Sequence, residues 1–216
     1  MSIQAVLFDL DGTLADTALD LGGALNTMLR RRHLPEVAMA LIRPVASHGA
    51  SGLLKLGMGI DKTHPEHAAL RQEYLQTYEQ CFTDQTVLFD GINALIAEIA
   101  ARGLKWGIIT NKPHTFTHRL VPTLGFSVPP DVQVSGDTTS EAKPSIKPML
   151  YACEQIGVAP ENCLYVGDAE RDMQAGKNVG MKTVLVSWGY IHENDDTASW
   201  PADVVVDAPQ QIIDLL

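Results

Sequence analysis

The stretch Ile3-Gln4-Ala5-Val6-Leu7-Phe8-Asp9-Leu10-Asp11-Gly12-Thr13 decides the fold of this chain. Its first half is a short apolar run, which is typical of a buried strand in a parallel sheet. Its second half is polar and contains two aspartates two positions apart. In extended backbone such residues point to the same side, so Asp9 and Asp11 are expected to face one reacting centre. A simple turn is the alternative, because Asp-Gly is a common turn pair.

Downstream of residue 84 the chain alternates between short apolar runs and helical periodicity. The apolar runs predict strands at 105–109, 132–135, 163–166, 182–187 and 204–206. The helical patterns lie at 92–102, 114–124, 147–156 and 170–179, and a final short helix runs to residue 216. Strands separated by helices of about ten residues predict an α/β fold with a doubly wound parallel sheet.

The block between residues 16 and 82 carries helical patterns at 17–32, 39–45 and 65–81 and no strand pattern. Its Gly-rich part, between residues 47 and 59, suits a mobile loop. We therefore predict a Rossmann-like catalytic core formed by residues 1–15 and 83–216. Residues 16–82 form the predicted α-helical insertion.

Polar side chains follow several of the predicted strands. In sheets of this kind, ligands bind outside the carboxyl ends of the strands, so these side chains are expected to meet at one rim. The set consists of Asp9 and Asp11, Thr110 and Asn111, the loop holding Lys143, and Asp168 with Asp172.

The carboxylates of this set suit phosphoryl transfer, which needs positioning and charge stabilisation. A carboxylate that attacks a phosphate dianion is repelled by it, so a hard cation is required. Mg²⁺ takes oxygen ligands, and Asp9 and Asp168 are the predicted carboxylate ligands. Asp172 lies one helical turn beyond Asp168 and can face the same site. Its alternative role is a favourable charge at a helix N-terminus.

The other strand-end groups suit the phosphate. Lys143 precedes Pro144, which favours extended backbone, and its ammonium is a candidate phosphate ligand; a solvated loop lysine is the alternative. Thr110 offers a hydroxyl for a phosphate oxygen, and the Asn111 amide is a candidate for orienting the substrate. Placement at the strand end favours Thr110 over Lys112 as the phosphate contact.

Taken in order, these residues resemble the motifs of the haloacid dehalogenase-like hydrolase superfamily. The matching stretches are Asp9-Leu10-Asp11-Gly12-Thr13-Leu14-Ala15-Asp16-Thr17, Thr110-Asn111-Lys112-Pro113, Lys143-Pro144, and Gly167-Asp168 through Asp172. The resemblance covers the whole chain.

The resemblance implies a role for each group. Asp9 is implied as nucleophile and metal ligand, and Asp11 as general acid/base that also binds Mg²⁺ through its backbone carbonyl. Asp168 is implied as the third protein ligand, with Asp172 supporting the metal site. The phosphoryl group is held by the implied pair Thr110 and Lys143.

The helical insertion resembles the four-helix cap of the subfamily that contains phosphoglycolate phosphatase. Such caps close over the site and exclude water. By this resemblance, 43–52 is the specificity loop and the hinges lie near 15–17 and 81–86. Arg43 is a candidate partner of a substrate carboxylate, and His48 or Ser51 a candidate hydrogen-bonding group. Arg43 as a surface helix residue and His48 as a plain loop residue are the alternatives.

The stretches 188–192 and 200–207 resemble, within this family, N-acetylmuramic acid 6-phosphate phosphatases of peptidoglycan recycling. Plain packing of Trp188 and Trp200 is the alternative. The substrates of both subgroups carry a carboxylate, so Arg43 does not separate them.

Composition and net charge limit the classes of molecule that this chain is expected to bind. The 216 residues include 45% apolar and 19% charged residues, and the formal net charge of −10 disfavours binding to nucleic acid. No apolar run approaches a membrane span, and no basic segment leads into an apolar run at the N-terminus. Three scattered cysteines indicate reduced thiols. We expect a cytoplasmic monomer or dimer acting on a small phosphate ester.

Three functions fit these observations to different degrees. The favoured one is a Mg²⁺-dependent phosphomonoesterase. A phosphomutase or a dehalogenase keeps the fold and changes the reaction, but a dehalogenase has no leaving alkoxide to protonate and does not need Asp11. A non-catalytic binding module would be expected to lack one of the carboxylates or the lysine, and none is missing.

Overall fold

A computed structural model of the chain, which describes residues 2–216, contains a six-stranded parallel sheet. The strands of this sheet are β1 (Ala5–Phe8), β4 (Lys105–Ile109), β5 (Val132–Val134), β6 (Cys163–Gly167), β7 (Lys182–Val186) and β8 (Val204–Val206). They are arranged in the order β5-β4-β1-β6-β7-β8. A short antiparallel ribbon pairs β2 (Ala15–Asp16) with β3 (Val87–Leu88).

Helices flank the sheet and fill the stretch between β2 and β3. That stretch contains α1 (Ala18–Arg31), α2 (Met39–Ile42), a 3₁₀ helix (Arg43–His48), α3 (Gly49–Met58) and α4 (His67–Tyr78). Between and after the later strands lie α5 (Ile92–Ala101), α6 (His114–Leu120), α7 (Lys147–Ile156), α8 (Glu170–Asn178) and α9 (Gln210–Ile213). The predicted α/β fold with a doubly wound parallel sheet is confirmed.

The central strand β1 determines where the polar side chains emerge. All four of its residues are fully buried, and Phe8 aligns with Ile108 of β4 and Val166 of β6. Side chains alternate across the sheet. Val6 and Phe8 accordingly join one apolar cluster, and Ala5 and Leu7 the other. Because the three strands end level, the residues that follow them leave the sheet at the same edge.

The Gly-rich stretch at 47–59, predicted as a mobile loop, is helical instead, and this expectation is wrong. The 3₁₀ helix and α3 cover it because Leu53 and Leu54 are fully buried. A side chain at Gly57 would lie 2.8 Å from Leu25 of α1, so glycine here permits close helix packing. Gly57 therefore serves packing, whereas Gly49 and Gly59, at the two ends of α3, have positive φ and open space around them.

We call residues 18–78 the four-helix segment. Its α4 packs on α1, where the Tyr74 hydroxyl donates to the Leu21 carbonyl at 2.8 Å. At the end of α4, the Tyr78 ring lies 5.1 Å from that of Phe116 in α6, and this contact joins the segment to the sheet helices. The predicted division into residues 16–82 and the remainder stays a prediction, although the β2–β3 ribbon lies at both junctions. Two-residue strands carry no periodicity, which is why the sequence did not reveal the ribbon.

No helix among residues 2–216 is both long and apolar enough to cross a membrane.

Asp20, near the start of α1, holds the chain that enters the four-helix segment against the chain that leaves it. It is 2% exposed and accepts hydrogen bonds from the backbone N–H groups of Gln85 and Thr86 and from the Thr86 hydroxyl. Replacing Asp20 by Ala leaves these donors without their charged acceptor. We expect the free energy of unfolding to fall by roughly 2–3 kcal/mol in urea titrations.

The control is Asp84→Ala, at an exposed position in the same connection, for which we expect a change within about 0.5 kcal/mol. Equal stabilities of the two variants would contradict the assigned role of Asp20.

Candidate active site

Three buried carboxylates meet at the carboxyl edge of the sheet. Asp9 follows β1, Asp168 follows β6, and Asp172 lies in the first turn of α8; they are 2%, 0% and 0% exposed. One oxygen from each lies within 4.8 Å of the others. The backbone N–H of Asp9 donates to the Val166 carbonyl at 2.9 Å, so β6 directly fixes the start of the loop that follows β1.

Lys143 supplies the buried positive charge of this site. Its ammonium, which is fully buried, lies 3.0 Å from Asp9 and 2.7 Å from Asp172. It also donates to the Tyr165 hydroxyl at 2.7 Å and to the Ile109 carbonyl at 2.6 Å. The ammonium is therefore held by several acceptors, which argues against a solvated loop lysine.

Asp168 shows that this site fits a cation. Its Oδ2 accepts from the Tyr190 backbone N–H at 2.8 Å and from the Ser47 hydroxyl at 2.9 Å, whereas its Oδ1 is buried and has no hydrogen-bond partner. Burial, together with the charges of Asp9 and Asp172, raises the pKa of Asp168 to about 7. A buried acceptor without a donor, among repelling carboxylates, fits a hard divalent ion with oxygen ligands.

Asp172 contacts both the start of α8 and the buried lysine, while its support of a metal site stays a prediction. Its Oδ2 accepts from the Ala169 backbone N–H at 3.1 Å, which satisfies a donor at the start of α8. Its Oδ1 pairs with Lys143. Burial raises the pKa of Asp172, while the Lys143 charge acts in the opposite direction.

Asp11 lines the cavity and is partly buried. The next residue, Gly12, has φ of +83°, and a side chain there would collide with Asp168, so the turn after Asp11 needs glycine. The Asp11 carboxylate pairs with the ammonium of Lys112 at 3.0 Å, and Lys112 also donates to the Tyr78 hydroxyl at 2.9 Å. Lys112 is thus a site residue that the sequence analysis ranked below Thr110.

The side chains of Thr110 and Asn111 have different surroundings. Thr110 is buried and lines the cavity, in agreement with a phosphate contact. The Asn111 amide donates to the Lys143 carbonyl at 2.9 Å and accepts from the Lys143 backbone N–H at 3.0 Å. Since both ends of the amide hold the Lys143 backbone, a role of Asn111 in orienting substrate stays a prediction.

Arg171 is the second cation that sequence reasoning missed. Its guanidinium lies 3.8 Å from the Asp9 carboxylate, lines the cavity, and has an Nε without a partner. The available sequence clue was its position within the first turn of α8, beside Asp172.

A cavity of about 770 Å³ opens above Asp9 and Asp11 and is lined on its far side by the four-helix segment. The predicted residues His48 and Ser51 line it, and Ser51 lies 3.0 Å from His67. Arg43 does not line it. Its guanidinium instead forms a two-contact pair with Asp16, at 2.8 and 3.1 Å.

The Arg43–Asp16 pair also changes the electrostatics at the base of the segment. Although burial raises the pKa of Asp16, hydrogen bonds from Arg43 and Tyr190 outweigh burial and lower it. The structure therefore does not bring Arg43 to a substrate carboxylate, because a nearer carboxylate of the chain itself satisfies the guanidinium.

The fold and the site together define an α/β enzyme with an acidic, phosphate-directed centre. The chain matches the family model for haloacid dehalogenase-like hydrolases over residues 6–186, and it belongs to this family. The predicted family is thereby confirmed.

Full-length relatives are phosphatases. N-acetylmuramic acid 6-phosphate phosphatase of Pseudomonas aeruginosa is 40% identical over 100% of this chain and 96% of its own length. Phosphoglycolate phosphatase of Xanthomonas campestris is 42% identical over 97% of this chain and 94% of its own length. These relatives confirm the predicted enzyme class, a phosphoric monoester hydrolase.

A solved structure agrees in fold. The crystal structure of a putative phosphoglycolate phosphatase from Lactobacillus delbrueckii superimposes with a TM-score of 0.87 at 23% identity, covering 100% of this chain and 98% of that one.

The buried pair of Lys143 and Asp172 offers a test of the site electrostatics. Lys143→Met leaves buried carboxylates uncompensated, and we expect the free energy of unfolding to fall by about 3–5 kcal/mol in chelator. Adding Asp172→Asn removes one of those charges, so the double variant should recover part of the loss. A double-mutant cycle by urea unfolding measures the coupling, expected at roughly 1–3 kcal/mol.

The matched control is the exposed pair of Arg30 and Glu36, whose atoms lie 3.0 Å apart. The cycle of Arg30→Met with Glu36→Gln should give a coupling below about 1 kcal/mol. A coupling at the buried pair no larger than this would contradict the interpretation.

Proposed function

We propose that this enzyme is a Mg²⁺-dependent phosphomonoesterase that hydrolyses a small, carboxylate-bearing phosphate ester through an aspartyl-phosphate on Asp9. One observation carries the proposal. The Asp9 carboxylate lines the cavity, with the cations of Lys143 and Arg171 3.0 and 3.8 Å away and oxygens of two further buried carboxylates within 4.8 Å.

In the first half-reaction, an oxygen of Asp9 bonds to phosphorus as the ester oxygen leaves. The Leu10 backbone N–H, 2.7 Å from Asp9 Oδ1, and the Lys143 ammonium hold the carboxylate in place for this attack. Asp11 acts as the general acid and donates a proton to the leaving alkoxide. Its side chain lines the cavity, which suits contact with the leaving group.

In the second half-reaction, Asp11 takes a proton from a water molecule that attacks the phosphorus. The bond between phosphorus and Asp9 breaks, which releases phosphate and restores the carboxylate. Throughout, Thr110, Lys143 and Arg171 hold the phosphoryl oxygens; their common position in the lining of the cavity supports this assignment.

Asp9, Asp168 and the backbone carbonyl of Asp11 would hold the Mg²⁺, with Asp172 in support. When bound, the ion offsets the negative charge that the phosphate and the carboxylates bring together.

The cavity favours the larger of the two substrates named for the relatives. A volume of about 770 Å³ exceeds what a two-carbon acid such as phosphoglycolate needs and suits a phosphorylated sugar. Its lining includes four charged residues, which we call the rim: Lys55 of α3, Asp61 and Lys62 from the stretch between α3 and α4, and Arg71 of α4.

Helix geometry sets the distance of this rim from the reaction centre. Arg71 and Tyr78 lie on the same face of α4, seven residues or about 10 Å apart. Tyr78 contacts Lys112 beside Asp11, so Arg71 suits an anionic group about that far from the phosphate. This favours N-acetylmuramic acid 6-phosphate, whose carboxylate lies across the sugar from its phosphate.

The four-helix segment acts as a cap that closes over the substrate, with hinges at its two connections to the sheet. The enzyme is a cytoplasmic monomer or dimer, and the three free thiols at Cys81, Cys153 and Cys163 suit a reducing compartment.

Asp9→Asn is the direct test of the chemistry. Since an amide is a poor nucleophile, we expect phosphate release from p-nitrophenyl phosphate with Mg²⁺ to fall by at least roughly a thousandfold. Asp11→Asn should lower kcat by about 10²–10⁴. Acid-quenched wild type should carry the mass of one phosphoryl group on the peptide containing Asp9.

The control Asp90→Asn, at an exposed carboxylate outside the cavity, should stay within about twofold of wild type. Undiminished phosphatase activity of Asp9→Asn would refute the proposal, and so would full activity of wild type in excess chelator.

Substrate size is tested by comparing two esters. We expect a higher kcat/KM for N-acetylmuramic acid 6-phosphate than for phosphoglycolate. Arg71→Met should raise the KM for the sugar ester by about tenfold, the effect of losing roughly one charged contact. The KM for phosphoglycolate, which is too short to reach Arg71, should stay unchanged.

Arg102→Met removes an equivalent exposed guanidinium far from the cavity and serves as the control. A higher kcat/KM for phosphoglycolate, or equal effects of Arg71→Met on both esters, would contradict the assignment of the rim.

A further inference from the structure

We propose that Ser47 is a positioning residue that orients Asp168 from the four-helix segment, so that seating of this segment on the sheet and binding of a divalent cation reinforce each other. The inference rests on the cation site of the proposed function. It assigns a role to a side chain that no sequence motif indicated.

The two oxygens of Asp168 have different surroundings. Oδ2 receives two hydrogen bonds, from the Tyr190 N–H at 2.8 Å and from the Ser47 hydroxyl at 2.9 Å. Oδ1 receives none and is buried, and an oxygen of Asp168 lies within 4.8 Å of oxygens of Asp9 and Asp172. Two donors on Oδ2 restrict the rotation of the carboxylate and leave Oδ1 available to a cation. Ser47 contributes one of these donors from outside the sheet.

The 3₁₀ helix that carries Ser47 is anchored twice. At its start, Arg43 pairs with Asp16, and at its end Ser47 binds Asp168. Tyr190 connects the two acidic partners: its hydroxyl donates to Asp16 at 2.9 Å and its N–H donates to Asp168. The contacts thus form a closed chain from the segment, through the β2 junction and the sheet loop, back to the segment.

The start of α1 belongs to the same network. The Tyr190 hydroxyl accepts from the backbone N–H groups of Thr17 and Ala18, at 2.7 and 2.9 Å. Lifting the 3₁₀ helix away from the sheet removes the Ser47 hydroxyl from Asp168 and leaves Oδ2 with one donor. A cation that needs an oriented Asp168 therefore binds more tightly when the segment is seated.

Linkage makes the coupling reciprocal: if seating favours cation binding, cation binding favours seating by the same factor. Groups that orient metal ligands typically contribute about 10–100-fold to metal affinity. The lower end of this range is expected here, because Tyr190 still holds Asp168 when Ser47 is lost.

The experiment measures Mg²⁺ binding to the full-length protein by isothermal titration calorimetry without substrate. Ser47→Ala should weaken binding by about tenfold. Ser47→Thr keeps the hydroxyl and should bind within about threefold of wild type. Ser127→Ala removes an exposed serine hydroxyl that bonds the Asn93 carbonyl, far from the site, and should bind like wild type.

A second readout follows the reciprocal effect. Mg²⁺ should slow amide hydrogen exchange in residues 43–58 of wild type and of Ser47→Thr, and it should do so less in Ser47→Ala. A purely structural role of Ser47 predicts faster exchange with and without Mg²⁺, and no difference in the effect of the ion. This outcome would overturn the proposal.

The proposal is also overturned if Ser47→Ala binds Mg²⁺ as tightly as wild type, the result expected if water from the adjoining cavity of about 250 Å³ replaces the hydroxyl. Failure of the proposed function looks different: wild type would bind Mg²⁺ and release no phosphate, and the effect of Ser47→Ala on binding would still support the coupling. Absence of Mg²⁺ binding to wild type would refute both.

Discussion

Repulsion among three buried carboxylates is the constraint on which the rest of this structure depends. Asp9, Asp168 and Asp172 present oxygens within 4.8 Å of one another, in surroundings where each charge is expensive. Lys143 offsets part of this cost through its contacts with Asp9 and Asp172, but it makes no contact with Asp168. The remaining negative charge is what the proposed cation would offset, and it is also what the surrounding hydrogen-bond donors stabilise.

The backbone around the site is arranged to hold this charged group in place. The level ends of β1, β4 and β6 bring the three motif loops to one edge. The Asn111 amide fixes the Lys143 backbone, and the Tyr165 hydroxyl bridges the Lys143 ammonium and the Ile109 carbonyl. Asn111 and Tyr165 thus fix the position of Lys143, whose ammonium pairs with the carboxylates of Asp9 and Asp172.

The four-helix segment takes part in the site at two points. Tyr78 at the end of α4 holds Lys112 beside Asp11, and Ser47 in the 3₁₀ helix holds Asp168. In the proposed function, Asp11 transfers the proton and Asp168 holds the cation. The four-helix segment therefore contacts a proposed proton-transfer group through Lys112 and a proposed cation ligand directly.

In the proposed function, the choice of substrate depends on the distance along α4 between Arg71 and the residues beside Asp11. The relatives carry the names of phosphatases for two different substrates, and Arg71 of the cavity lining lies two turns of α4 from Tyr78. The sequence placed the carboxylate-binding role on Arg43, and the structure gives that guanidinium to Asp16. The rim residues could not be found from the sequence, because surface lysines and arginines carry no pattern that distinguishes a cavity wall from open solvent.

The sequence by itself determined the sheet, the order of its strands along the chain, and the carboxylates and lysine at the strand ends. It could do so because buried parallel strands are short apolar runs, and the residues that follow them must be polar. Only the tertiary structure decided which of these groups pair. Lys112 and Arg171 lie in the site, the Asn111 amide binds the Lys143 backbone, and the Gly-rich stretch is helical and packs against α1. Those outcomes depend on contacts between residues far apart in the chain, such as Ser47 and Asp168, and local patterns carry no record of such contacts.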